Sequence, residues 1–236
     1  MTAGQTTTDL GAAAGGTVLE LWLDGARPPD GETVAAVAAL CDRAEDLDGD
    51  AVVVLHVSGT PSGGDWASAL TVKLVNRWEQ VLRRLERLPA TTIAGAAGDC
   101  GGPALDALLA TDHRAATASV RLVLPVQAGL VWPGMTLYRL AKQAPNAGAV
   151  RHAALFGGFI DAREALTLHL VHEVTDDLPA ALAAAAARAS VVSGTELAVR
   201  RQLTLDAQAV GFEEALGTHL AACDRALRRM SAWAAP

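Results

Sequence analysis

Twice in this chain a short apolar run ends in a glycine-rich turn that opens onto a helical pattern, and few folds accept that unit in series. The first run, residues 51–57 (AVVVLHV), is apolar almost without a break and leads through Pro61-Ser62-Gly63-Gly64-Asp65-Trp66 to a long helix. The second, residues 91–97 (TTIAGAA), leads through Gly98-Asp99-Cys100-Gly101-Gly102 to Pro103 and a short helix. A run without polar alternation suits a strand buried on both faces, as in a parallel sheet. The small residues of the second run allow close packing, and Pro103 stands where a first helical residue should. Turns of this kind present backbone N–H groups at a helix N-terminus, where they can bind an anion or a developing oxyanion. Either turn alone is an ordinary connection; the pair can form a two-donor hole.

The periodicity of the rest fits around that unit. Residues 17–23 (TVLELWL) alternate and close on Asp24-Gly25, which predicts an edge strand. A helix is expected over 32–45, where Val34, Val37, Ala38, Cys41 and Ala44 share a face. From 66 to 88, Leu70, Leu74, Trp78, Val81, Leu82, Leu85 and Leu88 predict one long amphipathic helix ended by Pro89, its arginines forming a solvated cationic face. Short strands are expected at 114–118, 120–124 and 171–175. Helices are expected at 135–143, 147–156 and 162–168, with three more between 178 and 233. No linker or fixed repeat interrupts the chain. The expected organisation is an α/β core over 17–180, a helical C-terminal region over 181–236, and a disordered tail over residues 1–16.

The composition removes whole classes of function. With 236 residues, 51% of them hydrophobic, the chain can bury a sizeable core. A formal net charge of −7 supplies no basic field for nucleic acid or an anionic membrane. Cys41, Cys100 and Cys223 are odd in number and widely spaced, so neither a disulfide framework nor a zinc knuckle is indicated, and a reducing cytoplasm is expected. The first residues lack the pattern of a signal peptide, and no stretch of 18 apolar residues suggests a membrane span. A phosphate loop, a nucleophile elbow, H-E-x-x-H and G-x-G-x-x-G are all missing. His169-Leu170-Val171-His172-Glu173 imitates a metal cluster but straddles a helix end and a strand start, so no metal site is expected there. Cys100, just before a helix, is read as a buried small residue in preference to a stabilised thiolate.

From about residue 51 to 177 the chain resembles the crotonase, or enoyl-CoA hydratase and isomerase, superfamily. Ser62-Gly63-Gly64-Asp65 is similar to its S-A-G-x-D turn, and Leu88-Pro89 with Thr91-Thr92-Ile93-Ala94 to its L-P-K-P-V-I-A strand. Residues 98–112 resemble its G-x-x-x-G-G-G-x-E-L-x-x-x-C-D block, and Trp132-Pro133-Gly134 and Tyr138-Arg139-Leu140 resemble I-P-G and Q-R-L. The resemblance implies a crotonase-like ββα spiral, a helical C-terminal trimerisation region giving a homotrimer or hexamer, and an acyl-CoA thioester as substrate with no further cofactor. Residues 83–94 and 98–102 are also similar to the hydratase-like members of dihydroxyphenylglycine biosynthesis in glycopeptide-antibiotic clusters. Those members imply a type III polyketide synthase as partner.

In the same register Gly64 and Gly102 are the implied oxyanion donors, and Asp106 falls on the first catalytic glutamate. Val126 falls on the second glutamate and cannot carry a proton, so the two-carboxylate mechanism is broken. Pro103 falls on the second oxyanion donor and has no N–H, so that donor comes from Gly102 or Ala104 or is absent. Two readings follow: a hydratase or dehydratase on a polyketide-derived acyl-CoA with Asp106 as its proton shuttle, or a non-catalytic partner of the synthase. For Asp106 the plain alternative is a solvent-facing or dipole-favoured residue on a short helix.

Overall fold

The computed structural model describes residues 9–13, 16–47, 49–63, 65–66, 68–124, 134–189 and 192–233. In chain order its elements are β1 (Asp9–Ala13), β2 (Gly16–Asp24), α1 (Gly31–Asp46), β3 (Ala51–Gly59), α2 (Val72–Leu85), β4 (Thr91–Gly101) and α3 (Gly102–Leu109). There follow β5 (His113–Ala116), β6 (Arg121–Leu124), α4 (Thr136–Gln143), α5 (Ala147–Phe156), β7 (Gly158–Asp161), α6 (Ala162–Thr167) and β8 (Glu173–Val174). Helices α7 (Leu178–Arg188), α8 (Gly194–Asp206) and α9 (Phe212–Trp233) complete the chain. The α/β class expected from the sequence is the class found.

The sheet runs β1-β2-β3-β4-β5-β8, and β6 joins β4 to β7. Pairs from β2 to β8 along that path are parallel; β1 on β2 and β7 on β6 are antiparallel. The unbroken apolar run of β3 has its cause in two covered faces. On one, Val53, Leu55 and Val57 meet the core formed with α1, α2 and α3, where Trp78, Leu82 and Leu85 are fully buried. On the other, Val52 and Val54 meet Leu182, Ala185 and Ala186 of α7. Gly95 of β4 lets α7 approach, since a Cβ there would fall 2.8 Å from the Leu182 side chain. Helix α7 is therefore a layer of the core, and the first helix with no buried residue is α8. Helix α8 is held by Arg201, which donates to the Asp112 carboxylate at 2.8 Å and the Ala90 carbonyl at 3.0 Å.

Several expectations give way to tertiary context. Strand β2 is not an edge, because β1 pairs on its outer side and lies within the stretch read as a disordered tail. Helix α2 starts at Val72 behind the Thr71 cap, whose hydroxyl accepts from the Leu74 N–H; Trp66 stays in the preceding turn. Strand β4 does not stop at residue 97 but runs to Gly101, its first half pairing with β5 and its last residues with β6. Backbone pairing with β6 carries the glycine-rich segment on as strand, where propensity alone favours a turn. Strand β7 was not legible in its four residues, being stabilised by β6. Gly64 and Val126 lie outside the described residues.

Candidate functional site

The carboxyl ends of β2, β3 and β4 converge on the N-terminus of α3. A Cβ on Gly25 would fall 2.4 Å from the Gly101 carbonyl oxygen and 2.5 Å from that of Gly59, so the three strand ends meet as bare backbone. Gly102 adopts a φ of +52, and a Cβ there would stand 2.6 Å from the Pro61 ring; only glycine fits the first position of α3. Pro103 follows inside the first turn. It contributes no N–H, so Gly102 and Ala104 are the flanking donors of this helix end. A cavity of 330 Å³ opens beside this junction, lined in part by Trp22, Asp24, Arg27, His56, Ser58 and Pro103. The Trp22 indole stacks on the His56 ring at 4.5 Å, and Arg27 supplies a cation at the same wall. The arrangement offers a ligand a largely apolar slot with the opposite charges of Arg27 and Asp24 on its wall, and from α3 it is lined by Pro103, which has no N–H.

Asp106 stands differently from its expected role. Every residue of α3 is buried, and Asp106 is 0% exposed. Its Oδ1 accepts from the Thr136 hydroxyl at 2.6 Å and from Arg139 Nη1 at 3.4 Å, and its Oδ2 from Trp78 Nε1 at 3.4 Å. Arg139 is shared: its Nη2 lies 2.8 Å from Glu79 and its Nε 2.9 Å from Glu86. Burial works against the charged guanidinium, but Glu86, Glu79 and Asp106 outweigh it and raise its affinity for the proton. A second cavity, of 610 Å³ between α2 and α4, reaches Glu79, Glu86 and Arg139. The solvent-facing alternative for Asp106 is thereby corrected: α3 is enclosed by β3, β4 and α4, and the carboxylate is met by α2 and α4. As a proton acceptor it must first exchange one of these partners for substrate.

The remaining candidates resolve plainly. Cys100 lies in β4, 0% exposed, and burial together with the charge of Asp106 pushes its thiol upward, so it stays protonated. Arg84 of α2 is not on a free cationic face; it pairs with Asp42 and Glu45 of α1, both at 2.6 Å. His172 Nδ1 accepts the Arg114 N–H at 3.0 Å and its ring stacks on His113, while His169 sits in the left-handed region with φ 55. Among the described residues, this segment brings no three His, Cys, Asp or Glu side chains together. Among the described residues no helix is long and apolar enough to cross a membrane. The sequence reading missed the network of Trp78, Glu79, Glu86, Thr136 and Arg139. The available signal was the helical spacing of Thr136, Arg139 and Leu140, which sets an arginine on the same face as an apolar residue.

No family model matches the chain. It is 52% identical over 211 residues to an enoyl-CoA hydratase of Amycolatopsis orientalis, covering 89% of this chain and 96% of that protein. Its fold is similar to the crystal structure of an enoyl-CoA hydratase/isomerase from Cupriavidus metallidurans CH34, with TM-score 0.78 and 18% identity over 96% of this chain and 90% of that one. An enoyl-CoA hydratase from Bacillus anthracis gives TM-score 0.78 at 16% identity over 93% and 90%. These two share the fold; the relative that is half identical along nearly its whole length carries the kinship. The chain belongs to the crotonase, or enoyl-CoA hydratase and isomerase, superfamily.

Proposed function

We propose that this protein acts in the cytoplasm on a polyketide-derived acyl-CoA, as a hydratase- or dehydratase-like partner of a type III polyketide synthase forming 3,5-dihydroxyphenylacetyl-CoA. The observation that carries the reading is the junction of β2, β3 and β4 with the α3 N-terminus beside an open cavity, in a chain whose α3 holds a single carboxylate. In this scheme the backbone N–H groups of Gly64 and Gly102 hold the thioester oxygen. The α-proton passes to Asp106 once that carboxylate gives up a partner, and the negative charge moves onto the oxygen. A β-keto substrate suits a site with a reduced acid/base pair because its α-proton is already acidic. The test is Asp106→Asn in the coupled reaction with the synthase and malonyl-CoA: product formation falls by about 10²-fold or more if Asp106 moves the proton.

A second reading is favoured by one feature, the complete enclosure of Asp106 by Trp78, Thr136 and Arg139. In it the protein is a non-catalytic partner that stabilises the synthase, and the Asp106→Asn variant stimulates product formation as the parent does. Both readings include self-association into a trimer or hexamer, which would cover the apolar side chains of α9. Phe212, Leu220 and Leu227 are 76%, 58% and 62% exposed in the single chain. A monomer by light scattering at micromolar concentration would count against it.

A further inference from the structure

One side chain ties the turn after β3 to the turn after β2. The Trp66 Nε1–H donates to the Ala26 carbonyl at 2.9 Å. The edge of the same indole, Cζ2, stands 3.7 Å from the point where a Cβ on Gly102 would sit, beside the Pro61 ring. Trp66 is therefore bonded to the post-β2 turn and stands beside the first residue of α3.

Its anchor is rigid. The Ala26 N–H donates to Asp24 Oδ1 at 2.9 Å, and the Gly25 N–H donates to the Ser58 carbonyl at 2.7 Å. Gly25 is further wedged against Gly59, Gly101 and Ala104, with no room for a side chain. A hydrogen bond to that post transmits its fixed position to the loop carrying Gly63 and Asp65. The indole is not required to start α2, which has its own cap five residues later at Thr71. An apolar residue of any shape would cover Gly102, whereas the bond to Ala26 needs the indole N–H.

We propose that Trp66 is a positioning residue for thioester chemistry, holding the first glycine-rich turn in register with the N-terminus of α3 through its bond to Ala26. This inference rests on the acyl-CoA reading above. Polarisation of a carbonyl falls steeply when a donor is displaced, and a misplacement near 1 Å can cost about 10²-fold in rate. The nucleotide end of CoA does not react, so its binding is expected to depend less on the exact position of this turn.

Trp66→Phe keeps an aromatic ring in the turn and removes the donor together with the outer indole edge that stands beside Gly102. The probe is 4-dimethylaminocinnamoyl-CoA, whose absorption moves to longer wavelength when its thioester carbonyl is polarised; CoA alone reports affinity, and circular dichroism reports the fold. The wild-type protein is expected to shift the bound probe to the red. The variant is expected to bind CoA within about threefold, keep its fold, lose most of the red shift, and exchange the α-protons of acetoacetyl-CoA at least about tenfold more slowly. A full red shift in the variant would overturn the positioning role. So would a joint loss of CoA binding and folded structure, which marks a purely structural residue. If the wild-type protein binds the probe with no red shift, the acyl-CoA reading fails first, and the proposal with it.

Discussion

Replacing Arg139 by methionine should destabilise this protein strongly. The guanidinium is 7% exposed and faces three carboxylates, Glu79 at 2.8 Å, Glu86 at 2.9 Å and Asp106 at 3.4 Å. Methionine fills the space and takes away the cation that these three carboxylates share, while Arg83 stays 3.2 Å from Glu86. Breaking a buried pair by removing one partner costs about 3–5 kcal/mol, because the remaining charge stays desolvated. For a chain of this size each kcal/mol lowers Tm by roughly 2–4 °C, so the midpoint should fall by about 6–20 °C in circular dichroism or scanning calorimetry. Asp106→Asn should cost less, since Arg139 keeps Glu79 and Glu86, and the double variant should lose less than the two single losses together. The deficit of Arg139→Met should also shrink in acid. A buried carboxyl without its cation has a folded pKa above its unfolded one, so its cost grows as pH rises above about 4 and fades below. A Tm within about 2 °C of the parent at neutral pH would refute the reasoning, as would a deficit that does not change with pH.

Hydration of crotonyl-CoA by the protein alone should be weaker than that of a two-carboxylate hydratase by roughly 10²–10⁴-fold, because Val126 cannot replace a general acid or base; turnover at ordinary hydratase rates would refute it. The His172 ring is pushed down to about 4 by burial, with Arg114, His113 and His169 adding to the effect. A histidine held neutral in the fold stabilises above its unfolded value near 6.5, and that stability is lost as pH falls toward 4. His172→Gln, which can still accept the Arg114 N–H, should flatten the fall of Tm across that window; an unchanged slope would exclude the ring as its source. Arg201→Met removes the bonds from α8 to Asp112 and Ala90, so limited proteolysis should cut between α7 and α8 faster than in the parent, while equal rates would show that other contacts hold the arm.

Much of the fold was legible in local pattern. The apolar run of β3 announced a strand covered on both faces, and the spacing of Trp78, Leu82 and Leu85 identified the buried stripe of α2. Pro103 at the α3 N-terminus, and with it the missing N–H, could be read directly from residue type. Period and propensity act over a few residues, which is why they report which face of an element is apolar. They do not report what that face meets. Strands β1 and β7 exist through pairing with β2 and β6, and the glycines at the end of β4 are extended because β6 lies beside them. Asp106 makes the same point at the site. Its place on a short helix allowed a catalytic base or a surface charge, but Trp78, Thr136 and Arg139 reach it from 28, 30 and 33 residues away. The sequence by itself determined the elements, their buried stripes and the chemical groups on offer. Only the tertiary structure decided that this carboxylate is enclosed and ion-paired, because the energy of a buried charge depends on neighbours that chain order does not name.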